Sequence, residues 1–447
     1  MEYFEKYIAS QEIQELKRYS QYYGRDNAEL VKRYKDRARR RKTPNNFVPS
    51  GYYHTLVDTM AGYMFNNLNY VVEGEERAYI DQLNQILKAN KSDIKDMQTG
   101  TRALIYNKAI ELVYTVGDEK SSEIKFESFN PENWILIYTP DIDKKLFCAI
   151  RFYTSYEKEF DYYLDVIYAN QWQYYKVKKK DITERDKPRT LYFTECPVIC
   201  YRTELVGNES SFDLVIPYID ALDFILTGNA NEIDRLVDAL LVLGKVLKPT
   251  DLEHMEEWKV LENMKQEDRA EYITKNLSPE FRQYASKLLI NEIHKHSHVI
   301  DWYSPDTGLT GEVSAKALIT RLFDMDMFSK RIELIYKESL YQRINLISQI
   351  MTIKGVKIDE VNIILNRTLP SGIEDKLAAL QNVTFISDQT KCEIAGVDWE
   401  VEKQRKEQEM DLVYKQIPGL TDQNNKADST DENKDNENKD NNQDNKN

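Results

Sequence analysis

The first hundred residues place apolar side chains at the spacing of amphipathic helices. Apolar residues recur every three or four positions within residues 1–42, over residues 52–65 and over residues 76–107. This period predicts helices in all three stretches. Pro44 interrupts the pattern and predicts a break between the first stretch and the second.

From residue 109 the pattern changes to short runs rich in β-branched and aromatic residues. Turn residues such as Gly117 and Pro131 separate these runs, which predicts a series of antiparallel strands. The apolar interior between Cys196 and Cys200 predicts one more strand. The five main runs lie at residues 111–116, 134–138, 147–153, 162–168 and 172–177.

Helical spacing returns in the second half of the chain. A helix is predicted to begin at Pro279, with Ser278 as its N-cap, and to run to about His296. Residues 301–312 contain one Pro, two Gly and several small polar residues, which predicts a loop. The other predicted elements are a helix over 212–240, a mixed segment over 241–276, a long helix over 313–351, a strand over 361–365 and helices over 371–415. The order of elements predicts an α+β fold with a helical spine.

The chain is acidic, with a formal net charge of -14 from 61 basic and 75 acidic side chains among 447 residues. Tight binding of DNA to a protein surface depends on basic side chains that neutralise phosphates. The excess of acidic side chains therefore argues against a protein that binds DNA tightly through its surface. The last 27 residues, from Thr421, contain no Val, Ile, Leu, Met or aromatic residue. A segment that cannot bury apolar surface is predicted to be disordered.

Composition also bears on the compartment and on interfaces. The four cysteines have no paired spacing, which excludes a disulfide scaffold and favours a reducing compartment. We expect no signal peptide, and no stretch approaches the ~20 apolar residues of a spanning helix. The 30 tyrosines, against 15 phenylalanines, suit half-exposed interfaces, and codon usage in an AT-rich genome explains them equally well.

A basic run occupies residues 32–42, with eight basic residues and one acidic residue in eleven positions. One interpretation is a patch that faces phosphate groups or an acidic partner. The other, which we favour, is a solvated helix end whose positive charge suits the helix dipole. The residues of the candidate patch are Arg37, Arg39, Arg40, Arg41 and Lys42.

Catalytic and nucleotide-binding motifs are missing from the sequence. Gly244-Lys245 lacks both the earlier Gly and the following Ser or Thr that phosphate and Mg²⁺ require. Neither a dinucleotide-binding glycine motif nor a hydrolase nucleophile motif occurs. We therefore predict no catalytic residue and no cofactor, and we expect that the chain is not an enzyme.

Three histidines near residue 296 form the one cluster that invites a metal-site interpretation. On a helix His294 and His298 would share a face, while His296 would point elsewhere, and a third ligand is missing. We therefore interpret them as a helix end and predict no metal site. Two carboxylate pairs, Asp220 with Asp223 and Asp324 with Asp326, are interpreted as surface charge.

Short motifs occur in a fixed order along the chain: Pro44-Asn45-Asn46, Val57-Asp58, Gly62-Tyr63, Arg151-Phe152-Tyr153, Ser211-Phe212-Asp213-Leu214, Tyr218-Ile219-Asp220, Ser314-Ala315-Lys316-Ala317-Leu318 and Asn366-Arg367-Thr368-Leu369-Pro370. In these motifs and their order the sequence resembles the portal proteins of tailed bacteriophages. It looks most like the branch common in phages of Gram-positive bacteria, over roughly residues 25–400. The sequence departs from the family at Ala315, where a Gly is usual at a loop-to-helix junction.

The resemblance implies a portal-type α+β fold. Such a fold has a β-rich wing, a two-helix stem around a small clip insert, a tunnel loop followed by a long helix, and a helical crown. The implied boundaries are 1–211 for the wing, 212–240 for the first stem helix, 241–277 for the clip, 278–298 for the second stem helix, 299–312 for the tunnel loop, 313–370 for the long helix and return strand, 371–417 for the crown and 418–447 for the disordered tail.

The resemblance also implies a function. Portal proteins form a ring, usually of twelve subunits, at one capsid vertex of the virion, and double-stranded DNA passes through it during packaging and ejection. The implied partners are further copies of the chain, the DNA, terminase, a head–tail connector or adaptor, and the major capsid and scaffold proteins. Synthesis would take place in the host bacterial cytoplasm. Two alternatives stay open: a non-ring adaptor protein of the virion, and a nucleic-acid-processing enzyme.

The implied site residues form three groups. The tunnel loop would contain Trp302, Tyr303, Ser304, Pro305, Asp306, Thr307, Gly308, Thr310 and Gly311. The loop-to-helix junction would contain Ser314, Ala315 and Ala317, and the terminase-docking clip would contain Lys245 and Lys248. The loop has turn-forming residues and no Lys or Arg, which suits a constriction that must not hold phosphate.

Overall fold

The computed structural model describes most of the chain from residue 10 to residue 366 and two short stretches after it. The described residues are 10–25, 46–71, 77–117, 123–157, 160–179, 181–204, 210–237, 241–243, 270–272, 279–302, 322–353, 360–366, 387–395 and 402–407, with a few single residues. The chain divides into two units, Met1–Leu369 and Pro370–Asn447, each of which is described by itself. The predicted mixture of helix and sheet in an α+β fold is confirmed.

The first helix, α1 (Gln11–Tyr23), begins at a polar cap. The Ser10 hydroxyl accepts a hydrogen bond from the backbone N–H of Ile13 at 3.5 Å, which satisfies one of the free N–H groups of the first turn. Ile13 and Leu16 are buried on one side of the helix, as an amphipathic pattern requires. The helix confirms part of the prediction for residues 1–42, and the basic patch lies outside the described residues.

Three further helices follow in the first unit: α2 (Tyr52–Phe65), α3 (Arg77–Ala89) and α4 (Ser92–Tyr106). The helix predicted over residues 52–65 is confirmed, whereas the stretch 76–107 forms two helices. The break falls at Lys91, whose φ of 54° is left-handed, after Asn90 has bonded its side-chain amide to the carbonyl of Ile86 at 2.9 Å. A local side-chain bond of this kind competes with the helical backbone bond.

A three-stranded antiparallel sheet lies next to α4. Its central strand is β2 (Lys108–Val116), with β3 (Glu123–Phe129) on one side and β9 (Val198–Arg202) on the other. The predicted strands within 111–116 and 196–200 are confirmed. Strand β3 was not predicted, because charged residues alternate with its buried Ile124 and Phe126.

A second antiparallel sheet contains five strands in sequence order. Four of them confirm predicted strands. The fifth, at the edge, was missed because Ile182 is its one large apolar residue and the strand is largely exposed. A small apolar cluster of Ile135, Phe152, Leu164 and Val177 covers one face. The strands are β4 (Trp134–Tyr138), β5 (Leu146–Thr154), β6 (Tyr162–Ile167), β7 (Gln171–Lys178) and β8 (Asp181–Thr190).

The described residues in the second half of the first unit are mainly helical. They contain the helices α5 (Ile216–Val237), α6 (Pro279–Ser297) and α7 (Phe323–Ile353), with the short strands β10 (Leu241–Leu243) and β11 (Ala270–Tyr272) between α5 and α6. The start of α6 at Pro279 confirms the predicted N-terminal signal. Helix α7 crosses the main core, where Ile332, Tyr336 and Leu340 are fully buried.

Two strands far apart in sequence close the first unit. Strand β1 (Asn67–Val71) pairs antiparallel with β12 (Asn362–Asn366), so that Asn67 lies opposite Asn366 and Val71 opposite Asn362. The strand predicted over 361–365 is confirmed. Its pairing returns the chain after α7 to the N-terminal helices.

The described part of the second unit contains α8 (Asp388–Ala395), which falls within the predicted helical region 371–415. The ammonium of Lys406 bonds to the Asp388 carboxylate at 3.1 Å. The tail that begins at Thr421 lies outside the described residues. Within the ranges given above, no helix is long and apolar enough to cross a membrane.

Candidate functional site

Helices α5 and α6 pack against each other as an antiparallel pair, which we call the rod (residues 216–237 and 279–297). At one end, Tyr218 stacks on His296 with ring centroids 5.3 Å apart. At the other end, the Arg282 guanidinium forms an ion pair with Glu232 and donates to the side-chain oxygen of Asn229 at 2.8 Å. The start of α5 therefore lies against the end of α6.

The rod has a buried base and an exposed tip. Ile216, Ile219 and Leu222 near the start of α5 are buried, as is Ile293 near the end of α6. Toward the other end, large apolar side chains are exposed, which reverses the usual arrangement of an amphipathic helix. We define the rod stripe as Phe281, Tyr284 and Leu288 of α6, which are 68%, 68% and 48% exposed and fall within about 60° of one another around the helix axis. Phe224 and Ile233 of α5 are exposed as well, but nine residues separate them, so they lie on opposite sides of that helix.

An insert joins the two helices at the tip of the rod. Strands β10 and β11 pair antiparallel, with Leu241 opposite Tyr272 and Leu243 opposite Ala270. The ladder brings Leu243 and Ala270 opposite each other. Residues 244–269, which include Lys245 and Lys248, lie outside the described residues.

An extended segment, residues 46–50, lies along α5, and we call it the strap. Three polar side chains of α5, spaced four residues apart, accept hydrogen bonds from the N–H groups of every second strap residue. These bonds join Ser50 to Asp223 at 2.7 Å, Val48 to Thr227 at 3.2 Å and Asn46 to Asn231 at 2.7 Å. Four helical residues advance ~6 Å and two extended residues ~6.6 Å, so the two spacings match.

The strap corrects the interpretation of Asp223 as surface charge. Its side chain is buried, and the bond from the Ser50 N–H explains how the protein accommodates it. Burial raises the pKa of Asp223, and the hydrogen bonds from Ser50 oppose that effect. Its neighbour Asp220 accepts a hydrogen bond from the Tyr22 hydroxyl at 2.7 Å. A sequence signal existed, since polar residues at a spacing of four inside an apolar helix indicate a partner for that face.

The other carboxylate pair lies at the start of α7. The side chain of Asp324 is 69% exposed, in agreement with the surface interpretation. Asp326 accepts a hydrogen bond from the Tyr63 hydroxyl at 3.3 Å and pairs with Lys330 at 2.8 Å. Asp326 therefore fixes the start of α7 against α2.

The histidines at the end of α6 do not share a common partner. The helix ends at Ser297, and His298 is left-handed with φ of 57°, so the expectation that His294 and His298 share a helical face is wrong. His298 bonds to Asp324 at 2.9 Å and joins the end of α6 to the start of α7. His294 contacts the Val299 carbonyl at 2.8 Å. No group of His, Cys, Asp and Glu among the described residues could hold a metal ion.

Most residues of the expected tunnel loop, junction, clip and basic patch lie outside the described residues. The exception is Trp302, which is 36% exposed and follows the end of α6 by five residues. The structure therefore gives the position at which the expected loop begins.

A buried charged cluster, which the sequence did not indicate, holds α7 against the sheet. Arg343 of α7 forms ion pairs with Asp96 of α4 and Glu111 of β2, and all three side chains are fully buried. The Tyr201 hydroxyl donates to Glu111 at 3.2 Å, and the guanidinium lies 4.5 Å from the centre of the Phe126 ring. Burial raises the pKa of Glu111, and the charge of Arg343 opposes this. Arg343 falls on the apolar face of a periodic helix, which is the signal that could have revealed it.

Comparison with known proteins gives one family and a set of distant structures. The model of the family described as phage portal protein, SPP1 Gp6-like, matches residues 4–414. A chain in "Neck of empty GTA particle computed with C6 symmetry" is 12% identical, and the match covers 78% of this chain and 90% of that chain with a TM-score of 0.43. A chain in "Neck of native GTA particle computed with C12 symmetry" is 11% identical, with the same coverage and a TM-score of 0.41. No curated protein matches the sequence.

Proposed function

Because the chain belongs to the phage portal protein family, we propose that its copies form a ring through which double-stranded DNA enters and leaves a capsid. Family membership makes it a portal protein of a bacteriophage virion, located at a capsid vertex. The ring, its channel and its passage of DNA are the parts that we propose. We propose twelve subunits, as is usual in the family.

The rod stripe is the observation that carries this proposal. It exposes three large apolar or aromatic side chains in a row on one side of α6, which single scattered exposed residues do not do. In a closed ring each subunit offers one surface to one neighbour and a different surface to the other. An exposed apolar row on a helix suits one of these two surfaces.

We propose that the rod and its insert correspond to the stem and clip that the resemblance implies. We propose that the stem covers residues 212–240 and 278–298, and that the clip, residues 241–277, docks terminase and later a head–tail connector. Lys245 and Lys248 would supply positive charge at that docking surface. The antiparallel packing of the rod and the β10–β11 ladder support this assignment, because they place the insert at one end.

We propose that residues 299–312 form the tunnel loop, with Ser314, Ala315 and Ala317 at its junction with the long helix. The β-rich region before residue 212 would form the wing, and residues 371–417 the crown. A conduit must release DNA, and a net charge of -14 favours sliding over tight binding. Capsid and scaffold proteins would contact the outside of the ring.

The portal protein family is structural, and we propose that this chain has no catalytic activity of its own. The chain would act by shape and charge: the ring admits a duplex, and its partners supply the chemistry of packaging. Two assays on one preparation separate these roles, one for assembly and one for cleavage of DNA.

Negative-stain electron microscopy and mass photometry of the purified chain test the proposal. We expect rings with a central hole and a mass near twelve subunits. Tyr284→Asp, which places a charge on the rod stripe, should shift the population toward monomers. Ile142→Asp is the matched control, since Ile142 is 99% exposed on a surface turn and belongs to neither helix of the rod.

Two results would contradict the proposal. The first is a monomer that stays monomeric when the chain is produced together with its scaffold and capsid proteins. The second is cleavage of DNA in the presence of Mg²⁺ that is lost with a single Asp or Glu substitution. If Tyr284→Asp formed rings as stable as those of the wild type, the ring proposal would stand, but the rod stripe would not be part of the interface between subunits.

A further inference from the structure

Helix α7 carries a second exposed apolar surface, on the side opposite its fully buried residues. We define the α7 stripe as Phe323, Met327, Leu334 and Tyr341, which are 65%, 50%, 71% and 37% exposed. At its end, the Tyr341 hydroxyl accepts a hydrogen bond from the Ile363 N–H of β12 at 3.4 Å. At ~100° per residue these four positions fall within about 40° of one another around the helix axis. They extend over 18 residues, or about 27 Å along the helix.

The opposite side of the same helix is already buried. Ile332, Tyr336 and Leu340 are fully buried in the main core and lie roughly half a turn from the α7 stripe. A helix that is apolar on both sides is typical of one that is covered on both sides. Lys330 and Glu338 flank the α7 stripe and are exposed, in the arrangement of a polar rim around an interface.

Other exposed apolar residues outside the rod do not form a comparable row in the described part of the chain. Ile142 and Tyr156, for example, are 99% and 90% exposed on separate turns. Single exposed residues are normal on a protein surface. The α7 stripe exposes roughly 400 Å² at ~150–250 Å² per large side chain, which approaches the size of patches that mark interaction sites.

We propose that a second copy of this chain, the neighbouring subunit, covers the α7 stripe. The inference rests on the proposed ring and deepens it. A ring contact joins two different surfaces, so the rod stripe accounts for one side of the contact and the other side is still required. The α7 stripe has the same apolar and aromatic character as the rod stripe.

The exposed area of the α7 stripe agrees with a contact to a neighbouring subunit. A standard interface buries about 800 Å² on each partner. The α7 stripe alone supplies about half of that area, which is too little for a separate stable contact with an unrelated protein and fits one part of a longer subunit interface. The contact between neighbours would therefore extend from the rod to the long helix.

Photo-crosslinking tests the inference on the full chain. p-Benzoylphenylalanine at position 334 is irradiated in assembled rings, and the same probe at position 142 serves as the control. We expect covalent dimers and higher multiples of the chain from position 334, with adduct peptides that belong to the same sequence. Position 142 should give none of these products above background.

A charge substitution provides the second measurement. Leu334→Lys should raise the subunit concentration at half-assembly at least tenfold, because each neighbour contact would then bury a charge. Leu334 is largely exposed in one subunit, so the melting temperature of the unassembled chain should stay within about 2 °C of the wild type. Ile142→Lys should leave assembly unchanged.

The outcomes separate this inference from the proposed function. Rings that form normally, give no chain-to-chain adducts at position 334 and tolerate Leu334→Lys would overturn the inference and leave the ring intact. Adducts at position 334 to a different protein would overturn it as well. A chain that never self-associates, even with its scaffold and capsid proteins, would overturn both.

Discussion

Replacing Arg343 with Met removes the cation of the buried cluster while keeping a side chain of similar length. Asp96 and Glu111 would then remain fully buried without their positive partner. Loss of one member of a buried ion pair costs more than the pair contributes, because the remaining charge has neither water nor a counter-ion. The same substitution also removes the guanidinium from its place 4.5 Å from the Phe126 ring.

The expected loss in the free energy of unfolding is about 3–5 kcal/mol. A folded domain has about 5–15 kcal/mol in all, so this loss is a large fraction of the total. The entropy of unfolding is about 2.1 cal/mol/K per residue, so for a unit that spans Met1–Leu369 a loss of ~1 kcal/mol corresponds to about 1.3 °C in melting temperature. We therefore expect the melting temperature of the first unit to fall by about 4–6 °C.

The assay compares thermal melting of wild type, Arg343→Met and the matched control Arg331→Met at constant protein concentration. Arg331 lies on the same helix and pairs with Glu204 at 3.1 Å, but its side chain is 44% exposed. Loss of an exposed pair costs less than about 1 kcal/mol, so the control should melt close to the wild type. A third variant, with Arg343→Met, Glu111→Gln and Asp96→Asn together, should recover most of the loss because no charge stays buried.

The pH dependence gives an independent check. Burial already raises the pKa of Glu111 in the folded chain, and without Arg343 the pKa rises further. A carboxyl whose folded pKa lies above its unfolded pKa stabilises the fold below that pKa, and this contribution is lost as the pH rises through the folded value. The deficit of Arg343→Met against wild type should therefore shrink as the pH falls from 8 to 5. If Arg343→Met were as stable as the wild type, or if its loss of stability were constant from pH 8 to pH 5, Glu111 would not be a buried charge that needs Arg343 as its partner.

Three further predictions concern the strap, the clip and the tail. Asp223→Ala should lower the stability of the chain by about 1–3 kcal/mol, because the N–H of the half-buried Ser50 loses its acceptor; Asp223→Asn should recover most of it, as measured by thermal melting. Lys245→Glu with Lys248→Glu should weaken terminase docking in a pull-down with rings intact, and unchanged docking would move that surface elsewhere. Deletion of residues 421–447 should leave ring formation unchanged in electron microscopy, and loss of rings would show that the tail contributes to assembly.

Periodic patterns of apolar residues predicted the elements that are amphipathic or uniformly apolar. They did not predict elements that consist mainly of polar residues or breaks that depend on a side-chain hydrogen bond. Helix α2 and strand β5 follow from their apolar positions. Strand β8 was missed because an edge strand keeps a partner on one side and can consist of polar residues on the other. The break between α3 and α4 was missed because the side-chain bond of Asn90 that ends α3 depends on local geometry.

In the candidate site, the sequence predicted local features but not the contacts between distant residues. The start of α6 at Pro279 and the strand after Cys196 could be predicted, since caps and apolar runs are local signals. The antiparallel packing of α5 with α6 depends on pairs such as Glu232 with Arg282, which are 50 residues apart and carry no local signal. Asp223 appeared as surface charge because its partner, the N–H of Ser50, is a backbone group that every residue has.

The contacts of the rod decide how a force on the insert would reach the rest of the subunit. The rod is held by directional bonds at its tip, through Arg282, and by the stacking of Tyr218 on His296 at its base. The strap fixes α5 to residues 46–50 by three evenly spaced bonds, and sliding of α6 along α5 would break the contacts of Arg282 and of His296 together. If the insert docks a packaging motor as proposed, a push on the insert would therefore move the rod as one body. The displacement would then be taken up beyond the base, where the bond between His298 and Asp324 joins α6 to α7.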